Sequence, residues 1–205
     1  MWSGANLEIE RALAGVIAQA RDAKEPSAMC ARSATGVRLE IWGTLPAAWS
    51  GNLSLHCAGI GLNVDGGMGC RISASQWAAR FELSSDRPVD VHAFDFLRMA
   101  RGADAGHPRP GLPQLDAFEL SRQAGRGLAA AVRGPDQPGF LAAVLQRFAL
   151  FGLHPERFVL ASVGDRAEDS FVLKTVGGAD PSPECAAALR SALTACLPRK
   201  GTAQI

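Results

Sequence analysis

The sequence predicts an α+β chain of two related units, each running strand, helix, strand, strand. Its sheets are antiparallel with helices packed on one face, and a further helix stands at the N-terminus. Three observations predict this. The stretch 127–175 passes from a short apolar run to helical spacing and then to two strand-like runs joined by a hairpin turn. The stretch 37–83 repeats that order, offset by 91 residues at its glycines and by 90 at its last strand. With 205 residues and 47% hydrophobic content there is material for a packed core, in one large or two small domains.

Asn6 is placed to cap a helix carrying Leu13, Val16, Ile17 and Ala20 on one face, and Pro26 ends it. Such a helix either covers a sheet face or edge or serves as a partner-binding or dimerisation arm. Residues 24–36 read as a loop. Val37, Leu39 and Ile41 alternate as a strand, and Leu53, Cys57 and Ile60 share a helical face that stops at Gly61. Asp65-Gly66-Gly67-Met68-Gly69 opens the next strand. It lacks the Lys and Ser/Thr of a phosphate loop and the helix of a dinucleotide fingerprint. A bulge or a flexible hairpin edge is expected there. Phe81 and Leu83 mark the third strand. Asp86-Arg87-Pro88 opens a helix to about Met99, residues 102–113 form a Gly/Pro-rich linker, and 115–120 close the first unit.

In the second unit the run 128–132 ends at Arg133-Gly134-Pro135-Asp136, which is turn chemistry. Pro138 then takes the first helical position, where its missing N–H costs nothing. Leu141, Val144, Leu145, Phe148 and Phe151 form the apolar face, and Gly152 stops the helix. Residues 157–163 and 169–175 are strands joined by a turn at 164–167. Ser182 caps and Pro183 starts a last helix with Cys185, Leu189, Ala192, Leu193 and Cys196 on its inner face. Only 201–205 remain for a closing strand. The chain therefore divides into 1–36, 37–121 and 122–205.

Several classes of chemistry find no support. A net charge of +1 gives no general pull toward nucleic acid or anionic membrane, and no basic stripe with interleaved aromatics is present. No apolar run is long enough to span a bilayer. Glu8 and Glu10 precede the first apolar stretch, unlike a secretory signal. Five cysteines without C-x-x-C spacing fit a cytoplasmic chain with free thiols. His56 and Cys57 are adjacent, so on a helix they point about 100° apart rather than at each other. His92, His107 and His154 have no partner at ligand spacing. Asp165, Glu168 and Asp169, with Arg166 among them, read as a solvated hairpin tip. No catalytic residue, metal or cofactor is expected, and the chain is not read as an enzyme.

What remains is the turn 136–140. A helix N-terminus offers unpaired N–H groups to an anion such as a carboxylate. Gly139 lets a ligand approach the backbone, and Asp136 can receive an ammonium group. Together they suit an α-amino acid. An Asp-Pro turn that only caps the helix would use the same residues.

Asp136, Pro138, Gly139, Phe140 and Leu141, followed by Gly164, Asp165, Arg166, Glu168, Asp169 and Phe171, resemble the pattern of an ACT domain. The resemblance is strongest to the C-terminal ACT domains of the bifunctional uridylyltransferase/uridylyl-removing enzyme that modifies the nitrogen-signalling protein PII. It covers roughly a third of the chain, and Gln137 stands where that family usually has Arg. It implies a tandem pair of ferredoxin-like βαββαβ units in a regulatory protein of nitrogen metabolism. The site residues it implies are Asp136, Gln137, Pro138, Gly139, Phe140 and Leu141. The ligand would lie between the two units, with a facing wall from 158–161 or 63–68. Nothing resembles the nucleotidyltransferase or HD-type domains of the full enzyme, so those activities are not implied. The first unit has Leu45, Ala47 and Ala48 in place of the motif, so binding is expected in the second unit only. The leading expectation is a regulator that binds an amino acid and signals to a partner enzyme or pairs as a homodimer through its sheet. The other is a protein-interaction module without a small ligand, for which Trp42, Trp49 and Trp77 are candidate interface anchors, with buried core positions expected for at least two of them.

Overall fold

A computed structural model describes residues 2–33, 36–102, 110–123 and 125–198. Most of the expected linker, 103–109, and the tail 201–205 with its room for a closing strand lie outside them. In chain order the elements are α1 (Trp2–Ala12), α2 (Ala14–Asp22), β1 (Ser27–Arg32), β2 (Val37–Thr44), α3 (Trp49–Gly59), β3 (Asn63–Arg71), β4 (Gln76–Ser84), α4 (Phe96–Arg101), β5 (Ala117–Gln123), β6 (Gly127–Pro135), α5 (Phe140–Ala149), β7 (Leu153–Val163), β8 (Arg166–Thr175) and α6 (Pro183–Thr194). The eight strands form one sheet in the order β1-β2-β4-β3-β7-β8-β6-β5. Every pairing in it is antiparallel.

The repeat seen in the sequence is a repeat of backbone structure. β2-α3-β3-β4 and β6-α5-β7-β8 have the same order, and the second half mirrors the first across the β3–β7 pairing. Phe81 and Leu83 of β4 and Phe171 and Leu173 of β8 all lie buried on the inner face. Gly61 (φ 77°) and Gly152 (φ 67°) both end their helices in the left-handed region, where a Cβ would crowd the following carbonyl.

Each half differs from the expected βαββαβ order in one respect. The strand beside β2 and the strand beside β6 come from upstream in the chain. β1, which falls in the expected 24–36 loop, pairs with β2 from Ser27↔Trp42 to Arg32↔Val37. Its sequence, Ser-Ala-Met-Cys-Ala-Arg, has neither β-branched residues nor apolar alternation, so only its edge pairing makes it a strand. The 115–120 stretch, expected to close the first unit, lies in the second half. There β5 pairs with β6 through the hairpin turn at Gly125. A short hairpin connection makes that antiparallel neighbour the one within reach.

Other boundaries also move. The helix expected from Asp86 is a single 3-10 turn at Val91–Ala93 followed by α4, which Asp95 caps by accepting from the Arg98 N–H at 2.9 Å. The glycine-rich strand β3 has the expected irregularity, between Val64 and Gly66. It is not an edge, however; it is the central seam, paired to β4 on one side and to β7 on the other. A Cβ on Gly69 would sit 2.4 Å from the Phe158 ring, so the missing side chain is what lets that ring lie across the seam.

α3 and α5 pack over the inner face, where the main core runs through both halves from Leu39, Trp49 and Phe81 to Phe148, Phe158 and Phe171. The N-terminal helices take the opposite face. α1 runs four residues ahead of Asn6, so Asn6 lies inside the helix and not at its cap. Leu13, Val16 and Ala20 are fully buried with Ile9, Cys70 and Ala78 in a second, smaller core. The helices thus cover a sheet face, as one of the two sequence readings has it. Trp49 and Trp77 are 1% and 4% exposed and belong to the core, whereas Trp42 is partly buried against the second core.

Candidate functional site

The turn between β6 and α5 is tied down from two sides. The Asp136 N–H donates to the Asp165 carbonyl of the β7–β8 hairpin at 3.0 Å. The Asn63 side-chain amide, at the start of β3 in the other half, donates to Asp136 Oδ1 at 3.0 Å. The same amide nitrogen also donates to Asp65 Oδ1 at 3.0 Å, and Ser84 Oγ donates to that oxygen at 2.8 Å. Ser162 Oγ of β7 donates to the Asp65 carbonyl at 2.6 Å. One amide therefore bridges carboxylates from both halves. Among the described residues neither Asp65 nor Asp136 has an ion-pair partner.

The helix begins two residues later than the sequence indicates. Phe140 is its first residue, and Gly139 stands at the N-cap position with φ 92°, so Pro138 lies in the turn. The Phe140 N–H donates to the Gln137 carbonyl at 3.1 Å and the Ala143 N–H to the Gly139 carbonyl at 2.9 Å. No side chain caps α5, so the reading in which Asp136 only caps the helix does not hold. The N–H groups of Leu141 and Ala142 belong to the first turn, where no intrahelical acceptor exists.

A third carboxyl completes the arrangement. Asp169 of β8 is 4% exposed. Its neighbours Ala167 and Phe171 on the same strand are buried with it, so it faces inward and not toward the hairpin tip. Burial pushes its pKa up to about 7, a hydrogen bond with the Ala161 backbone pulls it down, and the nearby Asp136 charge adds to the rise. The tip proper is Asp165 and Glu168, both exposed; Glu168 pairs with Arg133 at 3.3 Å and Asp165 with Arg166 at 3.8 Å.

The six residues expected at the site do not line one cavity. Asp136 and Leu141, with Asn63, Ser54 and Asp169, enclose a nook of about 10 Å³, room for about one water molecule. Pro138 lines a separate groove of about 350 Å³ on the far side of the turn, against Leu55, Ala58, Leu112 and Ala143. Gln137, Gly139 and Phe140 line both. Among the described residues the groove carries no charged side chain. The nook thus holds the acidic groups and the groove holds the space.

The corresponding turn of the first half repeats the backbone without the chemistry. The Leu45 N–H donates to the Ser75 carbonyl at 3.1 Å, and the Trp49 N–H to the Pro46 carbonyl at 3.0 Å. These match the Asp136 and Phe140 bonds. Leu45 is buried, and Ala48 takes φ −87° where Gly139 takes 92°. A cleft of about 260 Å³ beside this turn is lined by Leu45, Pro46 and Ala47 and by Glu156 and Lys174, which pair with each other at 3.6 Å. It is roomier than the nook at Asp136.

His56 and Cys57 do not form a reactive pair. His56 Nδ1 lies 2.7 Å from the Asn52 carbonyl. Burial, helped by Cys30, pushes the Cys57 thiol up to about 12, which keeps it protonated. No group of three or more metal-ligating side chains occurs among the described residues, and none of their helices is long and apolar enough to cross a membrane.

No family model and no curated protein matches the chain. Among solved structures it is similar to a crystal structure of aspartate kinase from Synechocystis, at 14% identity and a TM-score of 0.39. That similarity covers 78% of this chain and 26% of the kinase chain, so the chain spans about a quarter of that protein's length.

Proposed function

We propose that the chain is an ACT-like regulatory module of two ferredoxin-like halves, and that its 136–141 turn binds a small amino acid at the junction between them. The observation that carries this reading is the Asn63–Asp136 hydrogen bond, which ties the turn of one half to the seam strand of the other. The ligand ammonium takes the place of the Asn63 amide on Asp136, beside the buried Asp169. The ligand carboxylate meets the uncapped N–H groups of Leu141 and Ala142. An apolar or neutral side chain lies in the groove against Leu55, Ala58 and Phe140. Because the nook holds only about one water, binding must release Asn63 and loosen the tie between the halves. That release is the signal passed to a partner enzyme or to a second copy, through the sheet edges at β1 or β5.

Calorimetry and thermal melting against the twenty amino acids, glutamine and glycine first, test the reading. Saturable binding is expected with at least one of them. Asp136→Ala should abolish it, Gly139→Val should block it, and Leu45→Ala should leave it unchanged. Absence of heat and of any melting shift with all twenty at millimolar concentration would sink the proposal, as would undiminished binding by Asp136→Ala.

A further inference from the structure

A second cleft, of about 400 Å³, lies on the opposite face of the sheet, between the N-terminal helices and the β3–β7 seam. Its charged lining is Arg21, Arg71 and Arg157 against Glu10 alone. Arg157 is the informative one. It is the cross-strand partner of Cys70, so its side chain leaves the sheet on the face where Cys70 packs against α1 and α2. It is partly buried, yet it makes no hydrogen bond or ion pair with any other described residue. Among the described residues Arg21 and Glu10 likewise have no ion-pair partner, although they line the same cleft. Arg71, by contrast, is committed. Its guanidinium donates to the Ser73 and Ala74 carbonyls and lies 5.9 Å from the Trp77 ring. The Cys70 thiol feels both charges, pulled down by Arg157 and pushed up by Glu10, with burial the larger effect. The two charged groups therefore converge on the same floor.

Glu10 shares this cleft but makes no ion pair with Arg157, so the partly buried guanidinium remains open to a second anion, and its fork matches a carboxylate or phosphate. The rest of the wall is apolar: Ile9, Ile17 and Ile72. We infer that this cleft binds a small organic anion, its acidic head on Arg157 with Arg21 nearby and its aliphatic body against the three isoleucines. The ligand would touch the N-terminal helices, the first half and the second half at once, and so hold α1 and α2 on the seam. This site is independent of the turn at Asp136.

The test uses the full chain, with hexanoate as probe and 1-hexanol and inorganic phosphate as controls at constant ionic strength. Calorimetry should show one saturable hexanoate site that raises the melting temperature. Arg157→Gln should weaken it about tenfold or more, without lowering the melting temperature of the unliganded protein. Ile17→Trp should fill the cleft and abolish it. Asp136→Ala should bind hexanoate normally, which separates this site from the turn. Failure to detect hexanoate binding, binding of hexanol as tight as that of hexanoate, phosphate competing as well as hexanoate, or undiminished binding by Arg157→Gln would each overturn the assignment.

Discussion

Asp169→Asn should make the protein more stable at neutral and alkaline pH, and the size of the gain follows from the site. The Asp169 carboxyl moves from 3.8 to about 7 on folding, chiefly through burial. Because the folded value lies above the unfolded one, the folded state holds a proton that the unfolded state has released. Stability therefore falls as pH rises from about 4 to about 7, and above that the loss is complete. The gap corresponds to a ceiling of roughly 4 kcal/mol. For a chain of this size that is roughly 8–16 °C in melting temperature. Asparagine keeps an oxygen for the Ala161 N–H and cannot ionise, so it removes the penalty. His154 acts with the opposite sign. Burial lowers its pKa, so its contribution improves as pH rises. The readout is therefore the difference between wild type and Asp169→Asn, measured by chemical denaturation from pH 4 to 9. That difference should be near zero at the acid end and grow in favour of the variant up to about pH 8. A constant difference across the range, or a variant less stable at pH 8, would refute the reasoning.

Four further outcomes follow from the fold. Gly69→Ala should destabilise by about 1–3 kcal/mol in urea denaturation, because the new methyl meets both the Phe158 ring and Ala79. Gly139→Ala should cost about 1–2 kcal/mol for a different reason: the added Cβ meets only Ala58 at 3.8 Å, and the penalty is the φ of 92° itself. Ser182→Ala should cost about 0.5–2 kcal/mol, since Ser182 Oγ caps α6 by accepting from the Cys185 N–H at 3.2 Å. In the same assay Asp136→Ala loses no cap and should cost about 1 kcal/mol, for the Asn63 hydrogen bond.

The parts of the fold legible in the sequence are those where burial imposes a period. α5 shows it most plainly, with Leu141, Val144, Leu145 and Phe148 all buried as their spacing indicates. Phe81 and Phe171 likewise mark equivalent positions of β4 and β8. What was hidden is set by partners far away in sequence. β1 lacks strand propensity and exists by pairing with β2, and the side of the sheet that β5 joins depends on a hairpin and not on its own residues. β3 read as an edge because glycines weaken a strand. Glycine is nonetheless what a seam needs when Phe158 must cross it. Asp169 was grouped with the hairpin tip by its charge. Its period-two register with Ala167, Phe171 and Leu173 was the available signal that it points inward.

The two halves are inequivalent in complementary ways. The backbone bonds of the Leu45 and Asp136 turns match, so the two turns share a shape. The side chains then divide the work. Position 45 is a buried leucine, which serves packing alone, while position 136 is a carboxylate. The starts of the seam strands differ as well. Asn63 of β3 supplies the amide that reaches Asp136, whereas its counterpart His154 of β7 lines the cleft beside the Leu45 turn. The Asp136 junction is thus held by an amide shared between carboxylates, whereas the cleft at the Leu45 junction is lined by the Glu156–Lys174 ion pair. A carboxylate at Asp136 close to a buried Asp169 is a poor arrangement for stability, because its charge adds to the cost that burial already puts on ionising Asp169. Packing alone favours leucine at the turn, as at Leu45. A carboxylate beside a buried acid in the equivalent turn is the kind of local cost expected where a junction has a role beyond holding the sheet together.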